Sequence, residues 1–426
     1  MSLKDRVQKA HQEIKHHLFE ELLPFWTTRG VDKEYGGYLT YLDKNGDPTG
    51  EDIKTLVCQT RMIYTFSSIH RAGLDKDGVF LPLAKQGVEF LLKHFKDEEN
   101  GGWFWTSERD GTPRDRAKIM YGHSFAVYSL SEYALAAKDP AVLQHAVDAY
   151  DIIKTRSADL QYGGFGEFFE EDWSPKQPGV YGGDRKSLDV HMHLMEAFTN
   201  LYEATGNHRH KRDTERVIDL IFERMIHPEF GTGIAQFAFD WTPLRAILFR
   251  NVWGSDRDVE DDEGRPINNT SFGHNVEFAW LLMHSLRILG LDVAPFREGM
   301  KKLYDHCHQY GIDWERGGVY CEGPSDGPAR ERNKEFWQQA ETLVGMLDAF
   351  LLLEDEKYWD AYENVHRFVM DHVINHEVGE WYPLFDENNN RLWDYMGHAW
   401  KINYHTVRAA IQSEQRLSAI LKKLES

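Results

Sequence analysis

Cysteine is scarce: Cys58, Cys307 and Cys321 are the only thiols in 426 residues. Three scattered cysteines exclude a disulfide framework and a thiolate zinc site, and read as buried apolar side chains. Basic runs are also missing. Asp and Glu outnumber Lys and Arg by 69 to 49, which gives a formal net charge of -20. A surface of that sign repels nucleic acid and anionic lipid, so neither is an expected partner, whereas a neutral ligand is compatible with it. No stretch reaches the ~18 consecutive apolar residues of a membrane span. The opening MSLKDRVQKAHQEIKHHLFEELL is amphipathic and lacks the continuous apolar core of a signal peptide, so the cytoplasm is the expected compartment. Neither G-x-G-x-x-G after a strand nor G-x-x-x-x-G-K-[ST] occurs, and no nucleotide cofactor is expected.

What the chain does have is a repeat. Gly36-Gly37-Tyr38, Gly101-Gly102-Trp103, Gly163-Gly164-Phe165, Gly231-Thr232-Gly233, Gly317-Gly318-Val319 and Gly379-Glu380-Trp381 each open a short segment of alternating aromatics ending in Asp, Asn, Pro or Gly. Such segments read as hairpins or tight turns. Between them lie paired helical runs. One set, near 55–73, 117–138, 186–206, 272–290, 332–353 and 397–423, is aromatic and rich in small residues, with His, Glu and Arg mixed in. The other set, near 4–23, 79–97, 140–157, 208–227, 294–311 and 356–374, carries the Lys/Glu/Asp face of an ordinary amphipathic helix. Six pairs of inner and outer helices, with the glycine hairpins at one rim, predict an all-α (α/α)6 barrel occupying residues 1–426 as a single domain. The competing arrangement of the same units is an open α-solenoid.

The inner set carries the chemistry. In FGHNVEFAWLLMHSLRILG, His274 and Glu277 are i, i+3 and share a face, with Trp280 beyond. In KSLDVHMHLMEAFTNLYEATG, the His-x-His pair invites a metal reading. Residues i and i+2 of a helix point about 200° apart, however, so His191 and His193 cannot face one ion, and no metal is expected. Asp189 and His193, at i, i+4, do share a face with Glu196. Trp337 and Glu341 are one turn apart on the fifth inner run, as are Trp400 and Tyr404, and Lys401 and His405, at the sixth. Arg61 stands near the start of the first, and Tyr121 and His123 near the start of the second. Aromatic faces stack on pyranose C–H groups and charged side chains hydrogen-bond hydroxyls, so this composition around one axis suits a sugar. Four of the carboxylates, Asp189, Glu196, Glu277 and Glu341, also leave a glycoside hydrolase open.

The segments EELLPFW, EYGGYLTYLD, TRMIYTFS, YSLSEY, HMHLMEAFTNLYEATG, GHNVEFAWLL, FWQQAETLVG and WKINYH resemble the N-acylglucosamine 2-epimerase superfamily, in its cellobiose/mannose 2-epimerase branch, over nearly the whole chain. The resemblance implies an (α/α)6 barrel and a cofactor-free isomerase that epimerises a reducing aldose at C2 through a cis-enediolate. It implies His274 and His405 as the acid/base pair, Arg61 and His193 as holders of the enediolate oxygens, and Glu277 as partner of His274. Tyr121, Asp189, Trp337, Glu341, Trp400 and Tyr404 fall at positions expected to bind substrate. The chain departs from the cellobiose type, which carries Asn-Thr-His-Leu-His where Asp189-Val190-His191-Met192-His193 stands. It also has Asn403-Tyr404-His405-Thr406 for Pro-Tyr-His-Asn, and Phe336-Trp337 for a Trp pair. These departures make D-mannose and D-glucose the expected substrate pair. The alternatives are cellobiose, an aldose–ketose isomerisation and a barrel glycoside hydrolase. The enzyme is expected to act as a monomer or homodimer.

Overall fold

A computed structural model describes residues 2–250, 252 and 264–425. Twelve long helices lie among the described residues. The inner set comprises α2 (Leu56–Arg71), α4 (Met120–Ala137), α6 (Leu188–Thr205), α8 (Phe272–Leu289), α10 (Phe336–Leu353) and α12 (Asn403–Glu425). The outer set begins with α1, which runs Leu3–His16, takes a π-helical turn at His17–Leu22 and continues Leu23–Arg29. It continues with α3 (Phe80–His94), α5 (Pro140–Arg156), α7 (His208–Leu220), α9 (Arg297–His306) and α11 (Glu356–Phe368). The last three also end in π-helical turns, at Ile221–Met225, Cys307–Gly311 and Val369–Val373.

Each inner helix packs on the next, and α12 packs on α2, so the inner ring closes. Each outer helix packs on an inner one, with α1 lying against α12. This is the (α/α)6 barrel, not the open solenoid. Burial follows the two compositions. Every residue of α4 from Met120 to Ala134 is buried, whereas α7 buries only His210, Asp213, Thr214, Val217 and Ile218. No helix of the described residues is long and apolar enough to cross a membrane.

The hairpins stitch neighbouring units at one rim. The strand entering each inner helix pairs antiparallel with the hairpin of the next repeat. Ile53–Thr55 pairs with Thr106–Glu108, Lys118–Ile119 with Phe168–Phe169, and Arg185–Ser187 with Gln236–Ala238. Asn269–Ser271 pairs with Glu322–Pro324, Lys334–Glu335 with Leu384–Phe385, and a bridge between Leu42 and Gly397 completes the circuit. These strands take residues that the periodicity assigned to helix. The sixth inner helix accordingly starts at Asn403, not 397, and leaves Trp400 and Lys401 ahead of it.

Two features of the rim were not anticipated. Two residues before four of the inner helices stands a buried lysine paired with an aspartate of the same unit's glycine turn. These pairs are Lys54–Asp32 at 2.9 Å, Lys118–Asp97 at 2.6 Å, Lys186–Asp159 at 2.7 Å and Lys334–Asp313 at 2.8 Å. Lys401 pairs with Glu380 at 3.3 Å in the sixth unit. The fourth residue of an inner helix then clamps the glycine turn. His123 Nε2 accepts the Trp103 N–H at 3.0 Å and His191 Nε2 accepts the Phe165 N–H at 3.1 Å, while the Nδ1 of each bonds a backbone carbonyl. A Cβ on Gly102 or Gly164, both at positive φ, would stand 2.7 Å from those ring nitrogens. His123 and His191 are therefore core residues of the scaffold. Burial pushes their pKa values down to about 3 and about 4.

Candidate active site

The entry to each inner helix fixes which side chains reach the barrel mouth. Ser187 Oγ caps α6 by accepting from Val190 N at 3.2 Å, and Ser271 Oγ caps α8 by accepting from His274 N at 3.2 Å. The caps place Asp189 and His274 in the first turns of neighbouring helices. Both line a cleft of about 500 Å³ whose walls include Trp337, Phe249 and Trp393. The His274 ring lies 4.6 Å from the Trp337 ring, which in turn lies 5.8 Å from that of His405. One indole thus stands between the two imidazoles.

Below the mouth, two imidazole–carboxylate pairs share one cation. His405 Nδ1 lies 2.6 Å from Glu341 Oε1, and His193 Nδ1 lies 3.0 Å from Glu196 Oε2. Arg408 donates to Glu341 Oε1, Glu277 Oε1 and Glu196 Oε1, each at 2.7 Å, and also to the Tyr404 hydroxyl. Trp280 Nε1 donates to the other oxygen of Glu341 at 2.9 Å. Every group in this network is buried. Arg408 is the residue that reading the sequence missed. Its signal was present: it stands one turn after Tyr404 and His405 in an inner run where an unpartnered guanidinium could not be buried.

Arg61, on α2, stands between α12 and α4. Its guanidinium donates to the Tyr121 hydroxyl at 2.7 Å and to the Trp400 carbonyl at 3.1 Å. It lies over the rings of Phe125 and Tyr404, 4.6 and 4.7 Å from their centroids. No carboxylate among the described residues comes within ion-pair distance of it, and its Nε has no acceptor there. A buried cation held only by neutral groups is a ready partner for an anion.

The electrostatics separate the imidazoles. Burial pushes His405 down to about 3, against the pull of Glu341 and helped by Arg61 and Arg408, so its ring is neutral. With Nδ1–H donating to Glu341, its Nε2 lone pair is available as a base. Burial acts the same way on His193, but Asp189, Glu196 and Glu277 outweigh it and hold that ring up at about 9. Burial and the neighbouring Glu341 push Glu277 up, while Arg408 and His405 hold Glu341 low.

The contacts of the expected site residues differ in one pairing. Glu277 bonds Arg408 and not His274, whose nearest carboxylate is Asp189, with Oδ1 3.6 Å from His274 Nε2. The reason is depth: Glu277 sits a turn below His274, beside a guanidinium that compensates a buried charge more fully than an imidazole does. Glu341 and the Tyr404 hydroxyl are engaged inside the network. The Trp400 ring packs on Phe336 at 5.5 Å and Trp393 at 6.0 Å. Tyr121 stands edge-on to His193, ring centroids 5.1 Å apart. Among the described residues, Glu277, Glu341 and His405 bring three possible metal-ligand atoms within 4.8 Å of one another. Arg408 already donates into both carboxylates, so a cation occupies that position.

The sequence model of the family described as N-acylglucosamine 2-epimerase (GlcNAc 2-epimerase) matches residues 37–409. A cellobiose 2-epimerase of Bacteroides fragilis is 28% identical over 409 residues, covering 94% of this chain and 97% of that one. A D-mannose isomerase of Marinomonas mediterranea is 23% identical over 92% of this chain and 94% of its own. Among solved structures, the cellobiose 2-epimerase of Spirochaeta thermophila superposes with a TM-score of 0.85 at 30% identity, over 99% of this chain and all of that one.

Proposed function

The chain belongs to the N-acylglucosamine 2-epimerase family, and from that premise we propose that it epimerises a reducing aldose at C2, with D-mannose and D-glucose as its substrate pair. The observation that carries this reading is the pair of imidazoles on either side of Trp337, one of them neutral with its free nitrogen unclaimed. In the open-chain aldose the C2 proton is acidified by the C1 carbonyl. His405 Nε2 removes it, and the electron pair moves into the C1–C2 bond and onto the C1 oxygen. Arg61 and the His193 cation hold the two oxygens of the cis-enediolate as charge develops there. Rotation about C2–C3 turns the other face toward His274, which returns a proton to C2. The reverse reaction exchanges the roles of the two rings, since an imidazole can act as base in one direction and as acid in the other.

Two of the departures from the cellobiose type bear on substrate choice. Asp189 introduces a carboxylate at the cleft, and Phe336, with its ring 6.0 Å from that of His405, brings no N–H to that wall. Thr406 donates to Glu380 inside the scaffold and has no part in it. These changes favour a free hexose over a disaccharide. The test is to incubate the protein with D-mannose, D-glucose and cellobiose and separate the products. Glucose from mannose, and mannose from glucose, is the expected result. Fructose would make it an aldose–ketose isomerase, turnover of cellobiose alone a disaccharide epimerase, and release of a smaller sugar from an oligosaccharide a hydrolase.

A further inference from the structure

His193 has a carboxylate at each ring nitrogen. Glu196 Oε2 lies 3.0 Å from Nδ1, and Asp189 Oδ1 lies 3.3 Å from Nε2. A neutral imidazole with its N–H at Nδ1 would turn the Nε2 lone pair on the Asp189 carboxylate; the imidazolium removes that repulsion and still donates to Glu196. His405 is the contrast. Its single carboxylate partner, Glu341, is at Nδ1, and two guanidiniums, Arg61 and Arg408, bear on the ring. The Asp189 oxygen has a second relation. It is buried, accepts no hydrogen bond of standard geometry among the described residues, and stands 3.6 Å from His274 Nε2. Two Nε2 atoms from adjacent inner helices converge on this one oxygen at the wall of the cleft.

We propose that Asp189 is a positioning residue that makes His193 a standing imidazolium and aims its Nε2–H, together with the ring of His274, at one sugar oxygen. The identity of that oxygen rests on the epimerase reading; the charge of the ring rests on its two carboxylates alone. The charged groups facing this pair are Glu196 and Glu277, Arg61 on the other side of Tyr121 and Phe125, Arg408 through Glu196, Glu167 near Asp189 and His274 beside it. Among the described residues, only Glu196 and Asp189 touch the ring nitrogens of His193. The consequence is a division of labour. His405 and His274 exchange the C2 proton, while His193 keeps both of its own protons through turnover and acts as a second cationic donor beside Arg61.

The experiment is ¹⁵N imidazole NMR on the full chain without sugar, with His193 assigned by its loss in His193→Gln. Near neutral pH the wild type should show both His193 nitrogens protonated, with deprotonation only in the alkaline range. In Asp189→Asn, which keeps the shape and removes the charge, the midpoint should fall by about 1–3 pH units. A neutral His193 in the wild type near neutral pH overturns the proposal, and this readout stands whether or not the variant folds. So does an unmoved midpoint in folded Asp189→Asn. With an aldose that is turned over, kcat of Asp189→Asn should fall by about 10²-fold with little change in KM, and the basic limb of the rate profile should move down with the NMR midpoint. Loss of rate without that movement reduces Asp189 to a sugar contact and overturns the proposal. A doubly protonated His193 in a protein that epimerises no sugar supports the charge assignment and refutes the function.

Discussion

Replacing Arg408 with methionine removes the cation that three buried carboxylates share while roughly keeping the volume of its stem. Arg408 is 2% exposed and donates at 2.7 Å to each of Glu196, Glu277 and Glu341, so the variant strands charge in the barrel interior. Removing one partner of a buried ion pair costs about 3–5 kcal/mol. An unfolding entropy of about 2.1 cal/mol/K per residue over 426 residues gives about 0.9 kcal/mol/K, so Tm should drop by about 3–6 °C near neutral pH. The deficit should narrow in acid. In the wild type, Glu196 and Glu341 bind protons more weakly folded than unfolded, so they add stability that is present above the ordinary carboxylate range and lost as pH falls. Without Arg408 their burial dominates, they bind protons more tightly folded than unfolded, and acidification relieves the variant. Thermal melts followed by circular dichroism at about pH 7.5 and about pH 5 measure both effects. An unchanged Tm, or a deficit of the same size at both pH values, would refute the reasoning that Arg408 is the counter-charge of the site.

Arg61→Lys keeps the charge but loses the planar fork. Its kcat should fall by about 10²-fold with KM nearly unchanged, whereas a lower Tm with normal kcat would mark Arg61 as structural. The rate should be level through neutral pH, because His405 stays neutral down to about 3 and His193 stays charged up to about 9, and should decline as pH rises through that upper value; kcat/KM against pH checks the shape. Treatment with chelator followed by dialysis should leave activity intact, since Arg408 fills the place where Glu277, Glu341 and His405 could gather a metal ion. Activity that is lost and then restored by a divalent ion would contradict that.

The barrel was legible because each of its parts has a local signature. The paired glycines need positive φ at the turn, and Gly102 and Gly164 also leave room for a ring nitrogen, so the repeat recurs in the sequence wherever the geometry recurs. Helical angle separates His191 from His193 and puts the latter on a face with Asp189 and Glu196; in the structure His191 forms a backbone clamp and His193 lies between those two carboxylates. What escaped were contacts between units. The buried lysines two residues before the inner helices look, in sequence, like ordinary polar rim residues, because their aspartates lie more than 20 positions away. The resemblance and the shared i, i+3 face both pair Glu277 with His274, but sharing a face says nothing about a neighbour on another helix. Arg408, on α12, outcompetes the imidazole for that carboxylate.

Deuterium exchange at C2 separates the two histidines. D-mannose and D-glucose are each incubated in D2O with the wild type, His274→Asn and His405→Asn, and followed by proton NMR. The wild type should place solvent deuterium at C2 of the epimer it forms. Each variant should lose epimerisation by about 10²–10⁴-fold. Each should nonetheless still exchange the C2 proton of one epimer, the one whose proton faces the remaining imidazole, and the two variants should choose opposite epimers. Inversion at near wild-type rate in either variant, or exchange of the same epimer by both, would contradict the account.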